Sequence, residues 1–164
     1  MPNHGQSILV LGLGNDLLKD DGVGIAAVQK LRDVLDISID CVQASTSGLG
    51  LMDYLAGRDK VIIIDAIVLV PEKVGQVFEW HLDELSTGTV FSPHYVGLFE
   101  IREIARLLTL PFPKELKVLG IVVKDPFAIG EKMSPEVEGA IDKVVEMVKK
   151  IISIWQKETE IAFP

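Results

Sequence analysis

Short unbroken apolar runs alternate along this chain with longer segments whose apolar positions recur every three or four residues. Residues 8–11 (ILVL) form the first run and predict a strand that ends in the Gly12-Leu13-Gly14-Asn15 turn. Ile25, Val28, Leu31 and Leu35 follow at helical spacing and predict one apolar helix face. Ile37, Ile39 and Cys41 alternate with Ser38 and Asp40, the pattern of a half-exposed strand at a sheet edge. Residues 45–48 read as a loop, and 49–56 as a short helix closed near Gly57. A fully apolar strand is predicted over 61–64, with Asp65 at its exit, and another strand over 74–80. Only Pro71 and a few neighbours separate those two, too few for a helical crossover, so the later strand is expected to be antiparallel. Ser92-Pro93 predicts a helix start, with Leu98, Ile101, Ala105 and Leu108 on its apolar face and Pro111 and Pro113 as its stop. A long buried strand is predicted over 116–123. Ser134-Pro135 repeats the same start chemistry for a last helix striped with Val137, Ile141, Val144, Val148 and Ile152, and 157–164 read as a frayed tail.

This alternation predicts the α/β class: a three-layer α/β/α sandwich around a mostly parallel, twisted sheet of about five strands, one of them antiparallel. At 164 residues and 18.0 kDa the expectation is a single domain spanning 1–164. A hydrophobic fraction of 48% and a mean hydropathy of +0.34 suit strands covered on both faces. Charges interrupt every apolar run well short of the roughly 20 residues a membrane-spanning helix needs, so no membrane partner is expected. Met1-Pro2-Asn3-His4-Gly5 lacks the basic start and apolar stretch of a signal peptide, and a single cysteine excludes an internal disulfide framework. Both point to the cytoplasm. The net charge of −8 and pI of about 4.8 argue against nucleic acid as a partner, which needs a basic footprint. A monomer is expected.

Ligands of open α/β sheets bind outside the carboxyl ends of the strands, which directs attention to Asp21, Asp65 and His94. Asp21 lies in a turn with glycines on both sides. The dinucleotide pattern Gly-x-Gly-x-x-Gly fails there because Leu17 holds the third glycine position, and Asp16, Asp20 and Asp21 would repel a pyrophosphate. A plain alternative is that Asp20 or Asp21 caps the following helix. Asp65 follows the most apolar run, where an ionised carboxylate is costly unless paired, hydrogen-bonded or metal-bound. Its alternative role is to tie down a neighbouring loop. His94 is expected in the first turn of a helix capped by Ser92, where the dipole disfavours imidazolium and favours a neutral ligand. It could equally be an ordinary first-turn histidine. Together these residues offer two oxygens and one nitrogen, a set suited to a borderline divalent ion such as nickel or zinc, with positions left open for substrate or water. Cys41 reads as a packed thiol, Ser45 and Ser47 lack a nucleophile elbow, and no zincin or aspartic-protease motif occurs.

Residues 8–24 (ILVLGLGNDLLKDDGVG), 61–67 (VIIIDAI) and 92–98 (SPHYVGL) resemble, in order, the three site segments of the hydrogenase maturation endopeptidases. Residues 117–126 (KVLGIVVKDP) and 129–141 (IGEKMSPEVEGAI) are similar to the family's late strand and last-helix start. The resemblance implies an endopeptidase that removes the C-terminal extension of a nickel–iron hydrogenase large-subunit precursor once nickel has been inserted. Nickel would then be carried by the substrate and serve as a recognition handle, with the enzyme metal-free alone. The resemblance also implies that Asp21, Asp65 and His94 are the catalytic, nickel-contacting residues. One departure is the loop after the second strand, Gln43-Ala44-Ser45-Thr46-Ser47-Gly48, where many members carry an acidic residue before Gly-Gly-Thr/Ser. Two rival readings are a noncatalytic chaperone that binds nickel or precursor, and a nucleotide- or small-molecule-binding α/β domain.

Overall fold

The computed structural model describes residues 6–87, 90–95 and 98–162. Its strands are β1 (Ile8–Leu13), β2 (Asp40–Ala44), β3 (Lys60–Ile67), β4 (Val77–His81) and β5 (Glu115–Val122), and its α-helices are α1 (Val23–Arg32), α2 (Met52–Leu55), α3 (Leu98–Leu107) and α4 (Pro135–Ala162). They form one five-stranded sheet in the order β2-β1-β3-β5-β4, parallel throughout except for β4 against β5. The α/β class, the strand number and the antiparallel strand are as the sequence predicts.

Alternate residues of each strand face opposite sides, so every central strand feeds two cores. Ile8, Val10, Ile62, Ile64, Leu119 and Ile121 pack beneath α1 and α4. Leu9, Leu11, Leu13, Val61, Ile63 and Val118 pack against α2 and α3. By the same alternation Asp65 belongs to the α2/α3 side, two residues beyond Ile63.

Helix α1 lies unusually close to the sheet because glycine meets backbone on both surfaces. A methyl at Gly12 would sit 2.3 Å from the Gly24 carbonyl oxygen, and one at Gly24 would sit 2.3 Å from that of Leu13 and 2.4 Å from that of Ile64. No side chain fits there.

Several boundaries differ from the sequence prediction. β1 continues through Gly12 to Leu13, because Gly12 still pairs with Gln43 and Ile64. β2 begins at Asp40 rather than near Ile37: the Asp36 carboxylate accepts the Ser38 N–H in a turn, and Ile37 is 99% exposed. The segment 49–56 divides into a 3-10 turn (Gly48–Leu51) and the single turn of α2. β4 starts at Val77, after a turn at residues 74–75. Leu108 lies beyond α3 and is 64% exposed rather than part of its apolar face. α4 does not fray at Lys157 but runs to Ala162. The buried Trp155 holds it there, donating its indole N–H to Glu115 at 2.8 Å, while Lys60 sits over its ring and reaches Glu158 at 3.1 Å.

Candidate active site

The strand order places a crevice where the chain departs in opposite directions from β1 and β3, at their carboxyl ends. Asp21 comes from the loop after β1, Asp65 from the last turn of pleat in β3, and His94 from the segment before α3. One ligand atom from each lies within 4.8 Å of the others, and all three residues are buried. The three residues singled out by sequence therefore meet at one point.

Asp21 is held from both sides. Its Oδ2 accepts the Asn15 N–H at 2.8 Å, and a methyl on Gly14 (φ +153°) would lie 2.2 Å from the Asp21 carbonyl oxygen, so only glycine lets the loop close this tightly. Neither acidic residue caps α1, whose N-cap is Gly22 without a side-chain bond. Asp20 instead accepts both the N–H (2.6 Å) and the hydroxyl (2.9 Å) of Ser134, pinning this loop to the start of α4. That anchoring role was invisible in sequence, since adjacent aspartates at a helix entry look alike.

Asp65 lies inside β3 rather than at its exit, because β3 goes on pairing with β5 through Ile67 after β1 has turned away. Its Oδ1 accepts the following Ala66 N–H at 2.8 Å, and its Oδ2 accepts the Ser92 hydroxyl. The Ser92 oxygen in turn accepts the His94 N–H at 3.1 Å. One hydroxyl thus orients the second carboxylate and shapes the turn that carries the imidazole. Ser92 consequently caps no helix: α3 begins at Leu98, and His94 sits in a turn.

The imidazole is fixed through both nitrogens. Nδ1 lies 3.2 Å from the Thr46 carbonyl oxygen, and Nε2 lies 3.3 Å from Asp21 Oδ2 and 4.0 Å from Asp65 Oδ1. The Thr46 carbonyl can only accept a hydrogen bond, so Nδ1 carries the N–H that it accepts, which leaves Nε2 as the ligating nitrogen once the ring is neutral. Burial opposes a charged ring, but the hydrogen bond to Asp21 and the negative charges of Asp65 and Asp21 outweigh it and raise His94 to about 9. This reverses the direction expected from a helix start. Burial pushes Asp65 up to about 8, against the opposing pull of His94 and Ser92.

Both folded values exceed the ordinary ones of 3.8 and 6.5. Between them the folded chain binds more protons than the unfolded chain, so stability falls as pH rises. The carboxylates whose pKa is lowered, Asp36 and Asp59, act only in acid, below this window. The melting temperature of the metal-free protein should therefore drop from pH 6 to pH 9, and Asp65→Asn should flatten the drop. A melting temperature that climbs over that range contradicts the assignment.

The donor set fits a divalent ion. Asp21 Oδ1 is buried without a hydrogen-bond partner among the described residues, and one ligand atom each of Asp21, Asp65 and His94 lies within 4.8 Å of the others. An uncompensated buried carboxylate oxygen is unfavourable, and a cation supplies what it lacks. Ser92→Ala removes the orienting hydroxyl and leaves Asp65 Oδ2 unpaired. It should cost about 1–3 kcal/mol in urea unfolding and weaken binding of a divalent ion by about 10–100-fold, with Ser92→Thr recovering most of both. The Gln43 amide donates to the Ile25 carbonyl at 3.2 Å, so it braces α1. Cys41 is half-buried against the α1/α4 core, where burial raises its thiol pKa. His81 ends β4, and His4 lies outside the described residues.

The sheet and its buried carboxylate–carboxylate–imidazole cluster define an α/β domain able to hold a divalent ion at the strand ends. The model of the hydrogenase maturation protease family matches residues 25–151, a span that contains Asp65 and His94 and begins just after Asp21. The hydrogenase 2 maturation protease of Escherichia coli is 35% identical over 148 residues, covering 86% of this chain and 87% of its own length. The solved structure of the hydrogenase maturating endopeptidase HybD from E. coli superposes with a TM-score of 0.75 at 32% identity, covering 87% of this chain and 90% of that one. The [NiFe] hydrogenase maturation protease HybD from Thermococcus kodakarensis does so with a TM-score of 0.71 at 28% identity, covering 89% and 99%. This chain belongs to the hydrogenase maturation protease family. Family membership assigns it the chemistry of a peptidase.

Proposed function

We propose that this protein removes the C-terminal extension of a nickel–iron hydrogenase large-subunit precursor after nickel has been inserted, and that Asp21, Asp65 and His94 read the nickel ion the substrate carries. The observation that carries this reading is the convergence of three buried donors, one with an unpartnered oxygen, within 4.8 Å of one another. Two oxygens and one nitrogen leave coordination positions for the groups that already hold the ion in the precursor. They are too few for a closed structural site, in keeping with an ion that arrives with the substrate.

In this scheme the precursor's nickel docks against the cluster and sets the scissile peptide beside it. The bound ion supplies a Lewis acid for the carbonyl or for an attacking water. Protonated His94 and Asp65 must release protons to ligate, so docking is coupled to proton loss and tightens as pH rises through their values of about 9 and about 8. An empty cluster stays charge-balanced by its own protons, which keeps the enzyme metal-free between turnovers. A cytoplasmic location is in line with its single cysteine.

Purified protein mixed with nickel-loaded precursor, followed by intact-mass spectrometry, tests this directly. The expected result is loss of one C-terminal fragment from the precursor. A stable complex with no change in precursor mass would replace the protease reading by that of a noncatalytic maturation chaperone.

A further inference from the structure

A cavity of about 200 Å³ opens beside Asp65, walled by Leu85, Val90, Phe91, Leu98 and Phe99, with Ser92 and Tyr95 completing it. We infer that this cavity is a specificity subsite that receives an apolar side chain of the substrate next to the scissile bond, and that Val90 and its neighbours set which side chain fits. The inference rests on the function proposed above.

Location is the first argument. Ser92 is a wall of the cavity and also the donor to Asp65 Oδ2, so a single side chain separates cavity from cluster. A polypeptide laid across Asp21, Asp65 and His94 has a neighbouring residue at the cavity mouth. Chemistry is the second. Among the described residues no charged one lines the cavity, so a charged side chain seated there would meet no partner from them, whereas an aliphatic or aromatic one exchanges water for apolar contact. Phe91, 48% exposed, forms the outer lip, and its ring tilts against that of Phe127 at 6.4 Å between centroids. Phe91 has both backbone groups bonded to Val68, at 2.8 and 3.2 Å, so what it offers an incoming chain is its side chain.

The test is a change of preference rather than a loss of activity. Precursors carrying Ala, Leu or Phe on either side of the scissile bond are cleaved by the wild type, Val90→Trp and Val90→Ala. The wild type should favour a large apolar residue on one side of the bond. Val90→Trp, which fills the cavity, should lower kcat/KM for Leu and Phe by about 10-fold or more while sparing Ala, and Val90→Ala should move the preference toward Phe. Unchanged melting temperatures for both variants confirm intact folding. An identical ranking of Ala, Leu and Phe by all three proteins overturns the subsite. Should the wild type cleave no precursor, the proposed function fails separately. Fluorescence anisotropy with dansylated tail peptides bearing Leu or Ala then decides the cavity. A Leu advantage lost in Val90→Trp upholds it, and equal binding in both proteins overturns it.

Discussion

Asp65→Asn should abolish precursor cleavage while leaving a folded, and at pH 9 a more thermostable, protein. Asparagine keeps the shape of the protonated carboxyl: its Oδ1 still accepts the Ala66 N–H, and its Nδ2 donates to the Ser92 oxygen where the carboxylate accepted from it. It cannot become the anion that a cation needs. We expect cleavage to fall by more than about 10²-fold, the loss that misplacing a bound reactant by an ångström already causes. His94→Ala and Asp21→Asn should have comparable effects, because each supplies one of only three converging donors. Their double variants should be no worse than the singles, as expected for groups that act as a unit. Wild-type rates in any one of the single variants, measured by mass spectrometry of the precursor, would remove that residue from the site.

The second large effect is expected at a residue that has no side chain. Gly24→Ala forces a methyl within 2.3–2.4 Å of two backbone carbonyl oxygens, those of Leu13 and Ile64. Neither can yield, because β1 and β3 are fully buried central strands. Helix α1 must back away, at a cost of about 3 kcal/mol or more. The movement also carries Asp21, three residues upstream, away from Asp65, which lies one residue beyond Ile64 on β3. Loss of stability in urea titration should therefore be accompanied by loss of cleavage even in the fraction that remains folded. A Gly24→Ala protein with wild-type stability would mean that α1 does not approach the sheet as described.

The sheet and the cluster were largely readable in the sequence, for local reasons. Apolar runs such as 61–64 have only one environment that accepts them, a strand covered on both faces, and a carboxylate next to such a run must be satisfied by something. What escaped depends on contacts distant in sequence. Ser92-Pro93 has the chemistry of a helix start, yet the Ser92 hydroxyl is drawn to Asp65, 27 residues earlier, and residues 93–94 form a turn. With it went the protonation of His94, which two aspartates raise against the effect of burial. The alternation at Ile37 and Ile39 imitated a strand, but Asp36 turns the chain there and β2 starts later. Of the adjacent aspartates, only the fold shows that Asp20 grips Ser134 while Asp21 enters the cluster. The departure at Gln43 was visible in sequence, and its role as a brace on α1 was not.

The central claim is that Asp21, Asp65 and His94 recognise nickel already seated in the precursor. The most direct measurement compares the initial rate of C-terminal cleavage, by intact-mass spectrometry, for nickel-loaded and nickel-free samples of one precursor. Rapid cleavage of the loaded form and none of the nickel-free form is the predicted result, because without the ion the three donors have nothing on the substrate to bind. Equal rates for the two samples would contradict it.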